Sequence, residues 1–438
     1  VLGLNPQRLH EAIQVCPGVR SQGQLEIAGN ALVCPLPAAV GDVCHFLVSA
    51  EQAIPGEVVG MNSGQAWLMP FESMDEVFGG MLVTHERRRR RVPVGEGVLG
   101  RILDGLGRPI DGLRPLTDVG WQLAVRQSPS AFQRARIRDP FVTSQKAIDG
   151  FLTCGRGQRM GIFAGPGVGK SVLLGQIARN ASADINVVAL IGERGVELRP
   201  FVEDCLGREG LARSVVVLST SDNLPLMRAR AVETAVTIAH AFRQQGANVL
   251  FLLDSLTRLA MAQRELGLQL GEPPSSRGFP PSAFQLMADT LELLGNDSRG
   301  SITAFATVLV EGDDLDEPIS DTARALLDGH IVLSRSLAER GHFPAIDIAQ
   351  SVSRHFNTVA SAELRMAVRK LTGMLAVYTE VEDLIRIGAY VAGSDARVDK
   401  AVELLPLLNA FLQQDLDVSH TLESTCATLV DLASQWPH

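Results

Sequence analysis

The alternation of apolar and polar positions changes its rhythm twice along the chain. Between residues 18 and 92, short stretches (Leu25-Ile27, Ala31-Val33, Val43-Val48, Glu57-Val59, Ala66-Met69) are separated by Gly, Pro, Asn and Ser. Regularly spaced short strands with turn residues between them predict a small β-barrel or sandwich. From 93 to 356 the apolar runs become continuous, as in Val187-Ile191, Val215-Leu218, Val249-Leu253 and Ile302-Val310, and helix-period stretches such as Pro225-Arg243 intervene. That alternation predicts a parallel sheet covered by helices on both faces. Beyond about 357 strand signals vanish, and Ala362-Leu384, Val398-Gln414 and Thr421-Ser434 keep a helical period. The expectation is an α/β protein in three parts: an N-terminal small β-barrel (1–92), a central parallel-sheet domain (93–356) and a C-terminal helical domain (357–438).

Three segments interrupt these rhythms. Gly271 to Pro281 holds four prolines, which remove backbone donors and fix φ, so it reads as an exposed loop within the sheet domain. Arg87 to Arg91 is an uninterrupted arginine run that could touch anionic lipid or nucleic acid, but without aromatic residues between its members it reads sooner as a solvated connector. Pro6 to Gln14 is one brief amphipathic segment.

The most specific chemistry lies at the start of the sheet domain. The apolar run Met160-Gly-Ile-Phe163 leads into Ala164-Gly165-Pro166-Gly167-Val168-Gly169-Lys170-Ser171, and Val172-Leu-Leu-Gly-Gln-Ile-Ala178 continues as a helix. Strand, glycine loop and helix in that order form a phosphate cradle. Along Gly165 to Val172 the backbone N–H groups, which every residue but Pro166 supplies, turn inward on the phosphates. Lys170 reaches the outer pair, and the Ser171 hydroxyl is offered to Mg²⁺ at the helix N-terminus. Ala164 holds the place of the usual first glycine and is small enough for the turn. Only four lysines stand against 36 arginines in the chain, so a lysine at this position is not incidental. The chain is expected to bind a nucleoside triphosphate.

Ligands of open α/β sheets collect at the carboxyl ends of the strands. Val187-Ile191 runs into Gly192-Glu193-Arg194, and Val249-Leu253 into Asp254-Ser255. Asp254 fits the acid that holds the Mg²⁺ shell, and Glu193 the carboxylate that orients or activates the attacking water. Charge developing on the γ-phosphoryl group calls for a further cation. Arg354, in Gln-Ser-Val-Ser-Arg354, is the candidate, although from chemistry alone any of 36 arginines could serve.

Composition narrows the class. The net charge is −9, with three basic against ten acidic residues from Leu371 to His438, which opposes nucleic acid as the main partner. No run approaches a membrane span, and the N-terminus lacks a secretory-signal layout. Six scattered cysteines without a C-x-x-C pair predict reduced thiols, no structural zinc and a cytoplasmic protein.

Longer stretches resemble the nucleotide-binding subunits of rotary ATPases, and more closely the homo-hexameric ATPases of type III protein export. Val92 to Asp111 is similar to the barrel-to-core junction of that group. Ala147-Ile-Asp-Gly-Phe-Leu-Thr-Cys-Gly-Arg-Gly-Gln158, Val310-Glu-Gly-Asp-Asp314, Leu327 to Arg335, Ala338-Glu-Arg-Gly-His342 and Gly388 to Asp395 resemble the export branch. The resemblance implies a RecA-like P-loop domain, with Lys170, Glu193 and Arg354 catalytic, Ser171 and Asp254 at the metal, and Arg354 reaching the adjacent subunit's nucleotide. Phe343 stands where the group has a tyrosine against adenine. Implied partners are other copies in a ring, a central stalk protein facing the loop at 271–281, a regulator, export-gate membrane proteins and chaperone-bound export substrates. The implied place is peripheral at the inner-membrane export apparatus.

The sequence also departs from the group. Val196 replaces an arginine after Gly-Glu-Arg, Leu259 replaces an aromatic residue, and Ala288 to Leu293 lacks customary arginines. Ala260-Met-Ala-Gln-Arg-Glu265 and Ala178 to Asp184 lean towards the flagellar branch. An injectisome ATPase, a rotary ATP synthase catalytic subunit, a nucleic-acid translocase and a catalytically silent scaffold are the competing readings.

Overall fold

A computed structural model describes residues 21–437 apart from 30, 131, 311 and 313, with the backbone alone at 86 and 87. The amphipathic segment Pro6 to Gln14 lies outside the described residues.

The N-terminal strands close on themselves. Ser21–Gln24 pairs antiparallel with Leu82–Arg89 at one edge of a seven-stranded sheet, while Glu26–Ala28, only one residue further on, pairs with Ala31–Cys34 at the other. One stretch of chain thus caps both edges of a nearly closed barrel and leaves little unpaired backbone. The period-2 pattern is plain in Asp42–Leu47, where buried and half-buried residues alternate. Cys44, Phe46, Val58, Leu68 and Val83 fill the interior. Gly56 is required by close approach, since a Cβ there would stand 2.6 Å from the Phe46 ring and 2.7 Å from the Met69 carbonyl.

The central sheet has eight strands in the order Ile346–Ser353, Gly329–Leu333, Arg159–Ala164, Ser301–Leu309, Asn248–Asp254, Ile185–Glu193, Ser214–Thr220 and Ile102–Leu103. All pairings are parallel except that of Ile346–Ser353 with Gly329–Leu333. The inner strands are buried on both faces, which explains their continuous apolar runs. One face packs on helices Pro225–Gln244, Leu256–Gln269 and Pro281–Glu292. The other packs on Lys170–Asn180 and is continuous with the core of the C-terminal helices Ala362–Arg386, Ala396–Leu412 and Leu422–Ser434. Among the described residues no helix is long and apolar enough to cross a membrane.

Two expectations need correction. The arginine run is not a connector and is solvated only in part: Leu82–Arg89 is a barrel strand and Arg91–Val94 pairs with Gly120–Leu123, and while Arg88, Arg89 and Arg91 are exposed, Arg90 is buried. Buried partners for its guanidinium, described below, make this possible. The proline-rich loop is exposed only in part, because Phe279 inserts into the core beside the helix Pro281–Glu292.

Candidate nucleotide site

The loop after Arg159–Ala164 is built as its glycines require. Gly167 and Gly169 adopt φ of 78° and 86°, in the left-handed region, and nothing lies within 4 Å of a Cβ placed at Gly167, so there the dihedral and not space demands glycine. The helix Lys170–Asn180 starts immediately afterwards with no side-chain cap at its N-terminus, which leaves the loop's N–H groups to a ligand.

Lys170 is the junction of the site. Its Nζ donates to Asp254 Oδ1 at 2.5 Å and lies 3.6 Å from Glu193 Oε1, with all three side chains largely buried. Asp254 and Glu193 end adjacent parallel strands, and a bulge between Ile191 and Glu193 turns the latter side chain off the regular ladder. Thr307, on the strand Ser301–Leu309 between that of the glycine loop and that of Asp254, donates its hydroxyl to Asp254 Oδ1 at 2.6 Å. Burial raises the Glu193 pKa above its ordinary value, and Lys170 pulls it back. One ammonium faces two carboxylates, so the cluster carries surplus negative charge.

Two contributors were not legible in the sequence. Arg258 packs under Gly192, where a Cβ would stand 3.1 Å from its side chain, and its charge favours ionised Glu193. The segment 413–416 of the helical part closes a cavity of about 400 Å³ beside the loop, together with Val168, Gly169, Val172 and Phe343. Gln414 fastens it: its N–H donates to the Phe343 carbonyl, its amide to the Ser144 carbonyl, and its Oε1 accepts from Lys146 N–H. The Phe343 ring is half-exposed and borders Gly169, so it offers an open aromatic face to the cavity.

Arg354 is not brought to this site. Ser353 pairs with Gly329 at the beginning of Gly329–Leu333, so Arg354 sits at the amino end of the parallel strands, opposite the phosphate loop. Its N–H donates to the Asp328 carbonyl, and its guanidinium to the Arg324 carbonyl at 3.0 Å. Val196 is 80% exposed, whereas Leu259 is fully buried in the core.

Residues 144–353 match the model of the ATP synthase alpha/beta family nucleotide-binding domain, and residues 360–431 that of the T3SS EscN ATPase C-terminal domain. The flagellum-specific ATP synthase of Bacillus subtilis is 42% identical over 98% of this chain and 99% of its own length. The SPI-2 type 3 secretion system ATPase of Salmonella typhimurium is 48% identical over 90% of each. This chain belongs to the type III export ATPase family. Assembled EscN of enteropathogenic E. coli superposes on this export ATPase with a TM-score of 0.89, at 41% identity, covering 94% of this chain and 100% of that one. EscN in complex with its central stalk EscO superposes at 0.87. Export ATPases bind and hydrolyse ATP, and this chain is accordingly an ATPase.

Proposed function

We propose that this ATPase works as a ring of six copies that splits ATP at the seams between neighbours and so energises type III protein export. Residues 1–92 would form the collar, 93–356 the motor and 357–438 the part that reports to the transport machinery. The observation that carries the reading is the Lys170 ammonium held between Asp254 and Glu193 at the mouth of the glycine loop.

When ATP enters, the N–H groups of residues 165 and 167–172 hold its phosphates, Lys170 transfers from the carboxylates to the outer phosphates, and Phe343 stacks on the base. Asp254 and Glu193 are then left unneutralised. Among the described residues no three His, Cys, Asp or Glu converge as a cage, but the Ser171 hydroxyl and the Asp254 carboxylate are hard oxygen donors. They fit Mg²⁺ that takes its other ligands from phosphate and water. The chemistry the ion would supply when held there is positive charge against that of the phosphates. Glu193 orients the attacking water, and its raised pKa makes it a better proton acceptor than an ordinary carboxylate. Arg354 lies at the far end of its own sheet, so its role as a transition-state cation requires the nucleotide of an adjacent copy.

Because EscN is assembled with a central stalk, a stalk protein facing 271–281 is the first partner to seek. A regulator, export-gate membrane proteins and chaperone-bound cargo follow, with peripheral placement at the membrane. The segments 260–265 and 178–184 favour flagellar assembly over the injectisome.

A mixing experiment tests the shared site. Glu193→Gln and Arg354→Ala are each expected to silence ATP hydrolysis. A one-to-one mixture of the two regains up to about a quarter of native turnover, because one seam in four pairs an intact Glu193 with an intact Arg354 in a randomly assembled ring. A mixture as inactive as its components would end the reading of Arg354 as a residue acting between copies.

A further inference from the structure

The arginine run has a place in the fold that ATP hydrolysis does not use. Arg90 donates through Nη1 to Thr234 Oγ1 at 2.7 Å and through Nη2 to Glu233 Oε2 at 3.0 Å, while its Nε is buried without a partner. Arg230 takes both oxygens of Glu57, at 2.9 and 2.6 Å, and also Glu233 at 2.8 Å. The two carboxylates of this seam between barrel and central sheet are therefore fully committed to two arginines.

With those carboxylates in its wall, a cleft of about 350 Å³ opens between the barrel, the segment 123–127 and the helix Pro225–Gln244. Two further arginines, Arg89 and Arg126, line it, and neither guanidinium makes a hydrogen bond or ion pair among the described residues. Gly41 leaves room for Arg126, because a Cβ there would stand 2.8 Å from the guanidinium. His240 also lines the cleft, is 8% exposed, and has neither ring nitrogen bonded. Burial and the nearby Arg243 push its pKa down to about 4, so near neutrality the ring is uncharged, with one donor and one acceptor. Polar groups buried to this degree are normally paired, and unpaired ones mark a missing partner.

Two guanidiniums without a hydrogen-bonded carboxylate, of which Arg126 acts on Glu233 only through its charge, a free buried Nε–H of Arg90 and an unbonded imidazole describe the complement of an anion with several acceptor oxygens. A phosphoryl group carries close to two charges and three acceptors and suits guanidinium forks. A cleft of this volume holds a small molecule around it. We propose that the cleft between the barrel and the central domain is a second anion site, distinct from the nucleotide site, which takes a phosphate-bearing ligand.

The test is calorimetric titration of the full chain with inorganic pyrophosphate while a non-hydrolysable ATP analogue saturates the nucleotide site. One pyrophosphate per chain is expected. Arg126→Gln and Arg89→Gln, both at exposed positions, should each weaken it about tenfold or more, His240→Gln should weaken it further, and Lys170→Ala should leave it unchanged. The proposal is overturned if no pyrophosphate binds once the nucleotide site is filled, if binding vanishes with Lys170→Ala, or if neither arginine substitution alters it. Sedimentation with phosphatidylcholine vesicles containing phosphatidate separates the sources. Arg126-dependent vesicle binding that pyrophosphate competes away assigns a lipid headgroup, whereas pyrophosphate binding without it assigns a soluble phosphate ester.

Discussion

The nucleotide site and the barrel seam both bury opposite charges, and they balance them differently. At the seam Arg90 and Arg230 face Glu57 and Glu233, so each carboxylate is met at close range and the cluster is neutral. At the nucleotide site Lys170 is the one cation at ion-pair distance from Asp254 and Glu193, while the charges of Arg258 and Glu197 act on Glu193 with opposite sign from further off. A balanced buried network offsets its own desolvation and becomes part of the scaffold. An unbalanced one is poised for a ligand, because a cation arriving with the phosphates supplies the positive charge the protein left incomplete. Charge count thus separates scaffold from receptor where burial does not.

Substitutions can break that contrast, beginning with the largest effect. Glu193→Gln should lower kcat about a thousandfold while nucleotide binding persists, measured by phosphate release beside equilibrium binding. Lys170→Ala should lose both. Because the Glu193 pKa is raised, the acid limb of kcat/KM should lie above the ordinary glutamate value, and a profile flat through that region would remove Glu193 as the acting base.

At the seam, Glu57→Gln leaves Arg90 and Arg230 to share Glu233 alone and should cost about 3–5 kcal/mol in denaturant unfolding. A loss under 1 kcal/mol would mean that the seam is not the rigid partner in this comparison. Phe343→Ala should raise KM for ATP about tenfold with kcat nearly unchanged, since stacking holds ground and transition states alike.

The smallest effect concerns the strand leading from the seam into the sheet domain. Arg101 grips Asp111 through two hydrogen bonds, at 2.7 and 2.9 Å, and holds its pKa down at about 2. The folded value lies below the unfolded one. This contribution is therefore complete above about pH 4 and is lost as pH falls towards 2. Asp111→Asn should cost about 1–2 kcal/mol at neutral pH and flatten the acid end of the stability profile. An unchanged profile would assign that acid sensitivity elsewhere.

What the sequence determined by itself was local: the glycine loop and its lysine, acids placed directly after buried apolar runs, and the switch from period 2 to period 3.6. Each is written within about ten residues, because backbone dihedrals, strand alternation and helix starts are short-range. Tertiary structure decided whatever depended on pairing distant segments. It buried Arg90, which a run of like charges had suggested was solvated, because Thr234 and Glu233 arrive from a helix over 140 residues away. It brought residues 413–416 against the glycine loop through Gln414, and set Arg258 under Gly192. It also put Arg354 at the amino end of the sheet, where one chain cannot deliver it to its own phosphates. None of these has a local pattern, since a polar side chain's fate depends on which partner the fold delivers to it.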